Sequence, residues 1–191
     1  MEGLQLSYGI LAGGKSRRME TDKAGLQIGR QTFLEYLITE FQGQGRLMVA
    51  VRDERQGREI GVPFLPDENH GIGPIEGIRN LLRWCPTEYI FICACDTPYL
   101  KRELAGCLAR GIPGGYDCCA FFDGERIHPL GAIYSRHLVR TAEQMVADGT
   151  YRIMTLLEQS KTKIIDIRDT GLPAGWLRNI NTIADYTDMA E

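Results

Sequence analysis

The chain has 191 residues, 43% of them apolar and 25% charged, which is the balance of a globular protein and excludes disordered and fibrous architectures. Against 22 basic residues stand 25 acidic ones, a net charge of −3, and Asp185, Asp188 and Glu191 account for the deficit. That excludes a chain-wide basic surface, so neither nucleic acid nor an anionic membrane is an expected partner.

In chain order, residues 4–11 read as a first strand, followed by a segment rich in glycine and cations. Residues 32–41 put Phe33, Leu34, Leu37, Ile38 and Phe41 on one helical face, with Thr32 and Glu35 as a capping box at its start. Strands are predicted at 47–51 and 63–65. Residues 74–84 repeat the helical pattern through Ile75, Ile78, Leu81 and Leu82, and Pro74 suits the first turn. The apolar run 89–95 reads as a strand leading directly into Asp96, and Thr97-Pro98 is expected to open a helix through Leu100, Leu104 and Leu108, stopped at Gly111.

The second half is more mixed. Residues 116–122 and 130–134 flank Asp123-Gly124 as a hairpin, 135–146 and 151–158 look helical, 162–167 reads as a last strand, and Thr182 to Asp185 caps a short final helix. Strands alternating with helices describe one domain over residues 1–191, a three-layer α/β/α sandwich around a mostly parallel sheet.

Six cysteines without a CxxC pair argue against a disulfide scaffold or a structural zinc site, and predict buried thiols. The N-terminus lacks a basic region followed by a long apolar core, and no apolar run is long enough to span a bilayer, so a soluble cytoplasmic protein is expected.

Two readings of the glycine segment compete. Residues 9–16 match the P-loop pattern G-x-x-x-x-G-K-S/T, with the strand before Asp96 as a possible partner. A P-loop, however, needs its strand to end at the first glycine, whereas Ile10, Leu11 and Ala12 are apolar. The helix it needs, across 17–25, has only Met19 and Ala24 to bury. The other reading ends the strand at Leu11. Backbone amides around Gly13 and Gly14 then converge on phosphate oxygens, surrounded by Lys15, Arg17, Arg18 and Lys23.

Leu11-Ala12-Gly13-Gly14-Lys15-Ser16-Arg17-Arg18-Met19 followed by Asp22-Lys23-Ala24 resembles the LAGGxSxRMGxDK signature of molybdenum cofactor guanylyltransferases. Gly73-Pro74-Ile75-Glu76-Gly77 resembles that family's GPLAG segment, and Cys95-Asp96-Thr97-Pro98-Tyr99 its CDxPF/Y segment. Asp123-Gly124-Glu125-Arg126, His128-Pro129 and Asn179-Ile180-Asn181-Thr182 are similar to its later landmarks.

The resemblance implies a Rossmann-like nucleotidyltransferase fold. It implies Mg2+ as cofactor, and GTP and a molybdopterin carrying a terminal phosphate as substrates. Cofactor-biosynthesis proteins or acceptor molybdoenzymes are then the expected protein partners. Asp96, Lys23 and Arg17 become the catalytic candidates, with Asp96 as metal ligand. Leu11, Ala12, Gly13, Gly14, Lys23, Asp67 and Asp96 would hold GTP. Arg126, His128, Tyr134, Arg152, Asn179 and Asn181 would face the pterin.

Read without the resemblance, Asp96 could instead cap the following helix, Asp67 could be a turn residue, and His128 a hydrogen-bonded structural histidine. The chain departs from the family pattern at Glu20, where glycine is usual, at Val51-Arg52, where an asparagine is expected near the base, and at Glu76, which replaces a small residue. These departures bear on the identity of the base more than on nucleotide binding. They leave open the same chemistry with CTP or a sugar phosphate, and a non-catalytic nucleotide-binding protein, beside the P-loop reading.

Overall fold

The computed structural model describes residues 4–13, 26–180 and 185–187. Among them a seven-stranded sheet has the order β5-β4-β1-β6-β8-β7-β9, built from β1 Leu6–Leu11, β4 Leu47–Val51, β5 Phe64–Pro66, β6 Tyr89–Ala94, β7 Cys118–Phe122, β8 Ile127–Ser135 and β9 Thr162–Asp166. A separate two-stranded ribbon pairs β2 Gln27–Ile28 with β3 Gln31–Thr32.

Pairing is parallel throughout β5-β4-β1-β6 and between β7 and β9, whereas β8 runs against both its neighbours. Connection length explains this. Parallel strands need a crossover, and the helices α1 Phe33–Phe41, α2 Glu54–Arg58, α3 Pro74–Trp84 and α4 Arg102–Ala109 return the chain so that β4, β5, β6 and β7 run the same way as β1. β7 and β8 are joined by only four residues, 123–126, which allow a hairpin and nothing longer.

The central strands are largely apolar on both faces because both are covered. Tyr8, Ile10, Val49, Val51, Phe91, Cys93, Cys119, Phe121 and Ile133 pack on one side with Leu34, Leu37 and Phe41 of α1 and Leu104 and Leu108 of α4. Met48, Ala50, Ile90, Ile92, Cys118, Ala120 and Tyr134 pack on the other with α3, α5 Val139–Ala147 and α6 Ile153–Glu158. This is the three-layer α/β/α sandwich expected. Two glycines set how closely α3 lies on it: a Cβ on Gly9 would come within 2.7 Å of Leu81, and one on Gly77 within 2.7 Å of Leu11.

The Thr32–Glu35 capping box forms as predicted: the Glu35 amide donates to the Thr32 hydroxyl at 3.2 Å, and Glu35 accepts the Thr32 amide at 2.7 Å. Pro74 occupies the first turn of α3 behind Gly73, whose φ of 84° only glycine adopts freely. All six cysteines are buried and free, and burial pushes the Cys118 thiol up to about 12.

Three expectations are corrected. The helix after Asp96 begins at Arg102, not at Thr97-Pro98. Residues 97–100 close a turn in which the Leu100 amide donates to the Thr97 carbonyl at 3.2 Å, and Lys101 is extended. β8 begins at Ile127 rather than at residue 130, because an irregularity in the β7–β8 register takes up Pro129 and Gly131, the latter at φ 88°. The helix predicted from 135 starts as a 3-10 turn, Arg136–Leu138, before α5. Thr182, the expected final cap, lies outside the described residues. None of the described helices is long and apolar enough to cross a membrane.

Candidate active site at the carboxyl edge of the sheet

The sheet order reverses at β1: the chain moves outward through β4 and β5, then returns to β6 on β1's other side. Ligands of open α/β sheets collect at the carboxyl ends of the strands beside such a reversal. Here the end of β1 is tied to both neighbours, since the Ala12 amide donates to the Ala50 carbonyl at 2.8 Å and the Cys95 amide to the Leu11 carbonyl at 3.0 Å.

Gly9 pairs with Met48 and Ile92 well inside β1, which continues to Leu11. The P-loop reading fails on this point, because its first glycine is a packing position under α3 and not the mouth of a loop. Gly13 is the last described residue of the glycine segment. A Cβ there would lie 3.2 Å from the Arg52 nitrogen and 3.3 Å from Asp67 Oδ2, so Gly13 lies close against the ends of β4 and β5. Gly14, Lys15, Arg17, Arg18, Glu20 and Lys23 lie outside the described residues.

Gln56 of α2 adds a brace that the sequence did not reveal. Its Nε2 donates to the Ala12 carbonyl at 3.0 Å while its Oε1 accepts the Arg52 amide at 2.8 Å. A five-residue helix shows no apolar periodicity, and its one legible signal was Asp53, whose carboxylate accepts the Gln56 amide at 2.9 Å.

Asp67 follows β5, its amide donating to the Val51 carbonyl at 2.9 Å. Burial, reinforced by the nearby Glu76 carboxylate, pushes its pKa up to about 6. Glu76 is itself fully buried in the first turn of α3. It accepts the Glu68 and Asn69 amides at 2.9 and 3.0 Å and pairs with Arg79 at 2.7 Å. Glu76, which stands where the family has a small residue, thus faces the backbone of the β5–α3 loop.

Asp96 stands half-buried in the turn after β6. With α4 capped at Lys101, Asp96 does not cap that helix. Its backbone carbonyl accepts the Ile180 amide at 2.7 Å, which brings Asn179 to the same turn; Asn181 lies outside the described residues. Among the described residues no three His, Cys, Asp or Glu side chains gather as a metal cluster. A carboxylate at a strand end fits a hard cation that takes its other oxygens from phosphate and water.

The β7–β8 turn rises on the same edge, because β7 runs parallel to β6. Asp123 organises it, accepting the Glu125 and Arg126 amides at 2.9 Å each and His128 Nε2 at 2.6 Å. Burial opposes ionisation of Asp123, but the Arg126 amide, the His128 ring and the Glu125 amide together hold its carboxyl well below the usual range. His128 is thus the buried partner of a turn carboxylate, and Arg126 is exposed at the tip.

Tyr134 is corrected: it is fully buried in the core on the α3, α5 and α6 side of the sheet, and its hydroxyl donates to the Pro129 carbonyl instead of facing a cleft. Arg152 precedes α6, is largely exposed and pairs with Glu158 at 3.7 Å. Arg168, which no sequence signal marked, lies against the hairpin: a Cβ on Gly124 would meet its guanidinium at 2.9 Å.

A family model described as the MobA-like NTP transferase domain matches residues 9–164. The chain is 32% identical to the probable molybdenum cofactor guanylyltransferase of Carboxydothermus hydrogenoformans over 189 residues, covering 96% of this chain and 94% of that protein. It is 30% identical over 181 residues to the molybdenum cofactor guanylyltransferase of Pasteurella multocida, covering 92% and 94%. Its fold matches the crystal structure of molybdopterin-guanine dinucleotide biosynthesis protein A from Archaeoglobus fulgidus with a TM-score of 0.84 at 23% identity, over 96% of each chain. The 2-C-methyl-D-erythritol 4-phosphate cytidylyltransferase of Thermus thermophilus shares the fold at a TM-score of 0.72 and 16% identity, over 97% of each chain.

Proposed function

The chain belongs to the MobA-like NTP transferase family, and from that premise we propose that it transfers GMP from GTP to the terminal phosphate of molybdenum-bearing molybdopterin. An oxygen of the acceptor phosphate attacks the α-phosphorus of GTP. The bond from that phosphorus to the α–β bridging oxygen breaks, and pyrophosphate leaves with the bridging oxygen and its electron pair. No covalent enzyme intermediate is needed, so the protein's work is alignment and charge neutralisation. The observation that carries the reading is the convergence of Leu11, Ala12 and Gly13, Asp67 and Asp96 on strand ends around the reversal at β1.

In this mechanism the amides of Gly13 and Gly14, with Lys23, Arg17 and Lys15, hold the triphosphate. Asp67 accepts from the nucleoside, and the start of α3 at Gly73 turns free amides toward the nucleotide. Asp96 would hold Mg2+, which when bound supplies positive charge to the phosphate oxygens at the reacting end. On the other side, Arg126 and the hairpin that His128 and Asp123 stiffen receive the pterin, with Asn179, Asn181 and Arg152 as further contacts. Both halves share one sheet and act as a single domain in this reading.

The test is incubation with Mg2+, molybdopterin and each of the four nucleoside triphosphates. Pyrophosphate and a pterin dinucleotide should form with GTP. Product from CTP in preference would reassign the base, and release of a nucleoside diphosphate would overturn nucleotidyl transfer.

A further inference from the structure

The β5–α3 loop, residues 67–73, has no regular structure and carries mostly exposed side chains. Such a loop holds a carboxylate in place only if its backbone is gripped. Two grips are present. The sheet takes the Asp67 amide through the Val51 carbonyl at 2.9 Å, and Glu76 takes the next two amides, of Glu68 and Asn69, at 2.9 and 3.0 Å.

Glu76 can act as an anchor because α3 is itself packed closely against the sheet. Ile75, Ile78, Leu81 and Leu82 of α3 are completely buried, and Gly77 lets the helix lie directly on Leu11 and Ala50. Arg79 fixes the carboxylate from behind at 2.7 Å and reaches Glu68 at the same distance. The side chains of Glu76 and Arg79 are only 1% and 8% exposed.

As a source of stability this arrangement is poor. Desolvating an ion pair offsets most of its attraction, and Arg79 Nε is buried without a partner among the described residues. What the network does accomplish is placement: it sets the chain so that Asp67 Oδ2 lies against Gly13.

We propose that Glu76 is a positioning residue for nucleotide binding, acting through the Glu68 and Asn69 amides to set the Asp67 carboxylate against Gly13. This rests on the nucleotidyl-transfer reading and deepens it, since Glu76 touches no substrate itself. The nearby charge also raises the proton affinity of Asp67, which agrees with the two carboxylates being held close.

The experiment compares wild type with Glu76→Ala, Glu76→Gln and the double variant Glu76→Met/Arg79→Met. Binding of each nucleoside triphosphate is measured by equilibrium dialysis and turnover by pyrophosphate release, with circular dichroism and thermal melting on every protein. Glu76→Ala should raise Kd and KM for the bound triphosphate about tenfold or more while KM for the pterin stays within about twofold. Glu76→Gln, whose amide oxygen accepts the same two backbone amides, should return nucleotide KM to within about threefold of wild type. The double variant removes both buried charges, so it folds even where Glu76→Ala does not, and it should show the same loss of nucleotide affinity.

Folded variants with unchanged nucleotide Kd would overturn the proposal, as would nucleotide and pterin constants that worsen in parallel with melting temperature. Wild type that binds a triphosphate but releases no pyrophosphate defeats the catalytic reading alone, and positioning is then read from Kd. Wild type that binds no triphosphate overturns both.

Discussion

The two halves of the sheet build their share of the site in different ways. In β5-β4-β1-β6 every strand points the same way, so Gly13, Arg52, Asp67 and Asp96 all emerge at one edge within a residue or two of a strand end. In β8-β7-β9 the reversed strand places a hairpin turn at that edge, organised by the Asp123 carboxylate and its partner His128. The edge around β1 is held by the sheet itself; the hairpin is held by local side-chain hydrogen bonds. Damage to the second should therefore be local and separable, whereas damage to the first reaches the chemistry.

Asp96→Asn gives the sharpest contrast. The substitution keeps the side chain's shape and the Ile180 amide's bond to the residue 96 carbonyl, so the fold should persist. Turnover measured by pyrophosphate release should fall about 10²–10³-fold, the scale on which loss of one transition-state electrostatic contact is felt. Turnover near wild type would remove Asp96 from the mechanism.

His128→Ala should strike the other half. It removes the hydrogen bond to Asp123 and leaves a cavity beside the turn, at a cost of about 1–3 kcal/mol read as a lower melting temperature. KM for the pterin should rise while KM for GTP stays within about twofold, since the strand ends around β1 are untouched. Equal changes in both constants would mean that the halves are coupled and the contrast false. The carboxyl of Asp123 is held low, so its stabilising contribution is present above its ordinary pKa and drains away as pH falls below about 4. Acid unfolding of His128→Ala should accordingly show a shallower slope there.

Asp67→Asn is expected to change stability less than His128→Ala, and with the opposite sign. A carboxyl raised to about 6 in the folded state binds its proton more tightly than in the unfolded chain, so ionisation costs stability as pH rises from 4 to 6. The asparagine variant should be more stable than wild type by about 1–2 kcal/mol at pH 7–8, with the gain vanishing below pH 4. Its nucleotide affinity should nonetheless fall. A melting temperature unchanged across that range would show that Asp67 is not held as described.

Much of this was legible in the chain. The capping box of Thr32 and Glu35 and Pro74 behind Gly73 are local signals, and local signals survive folding because they concern neighbours a few residues apart. Asp96 was legible because an apolar run of strand length ends beside it. Thr97-Pro98 misled for the same kind of reason: proline suits a first helical turn, but residues 97–100 closed as a separate turn and the helix waited until Arg102. Gln56 and Arg168 carried no pattern because each acts across distant segments, Gln56 on Ala12 and Arg168 beside Gly124. Tyr134 looked available for a ligand until the reversed strand turned it into the core between the sheet and the helices.

Composition and periodicity determined the layered α/β class, the strand after which the glycine segment begins, and the carboxylates at strand ends, since all of these follow from which residues can be buried within one element. Tertiary structure decided what those carboxylates meet. Whether Glu76 obstructs a base or anchors a loop depends on where α3 lies against the sheet, and that was settled by Gly9 and Gly77, whose missing side chains let helix and strands close to contact distance.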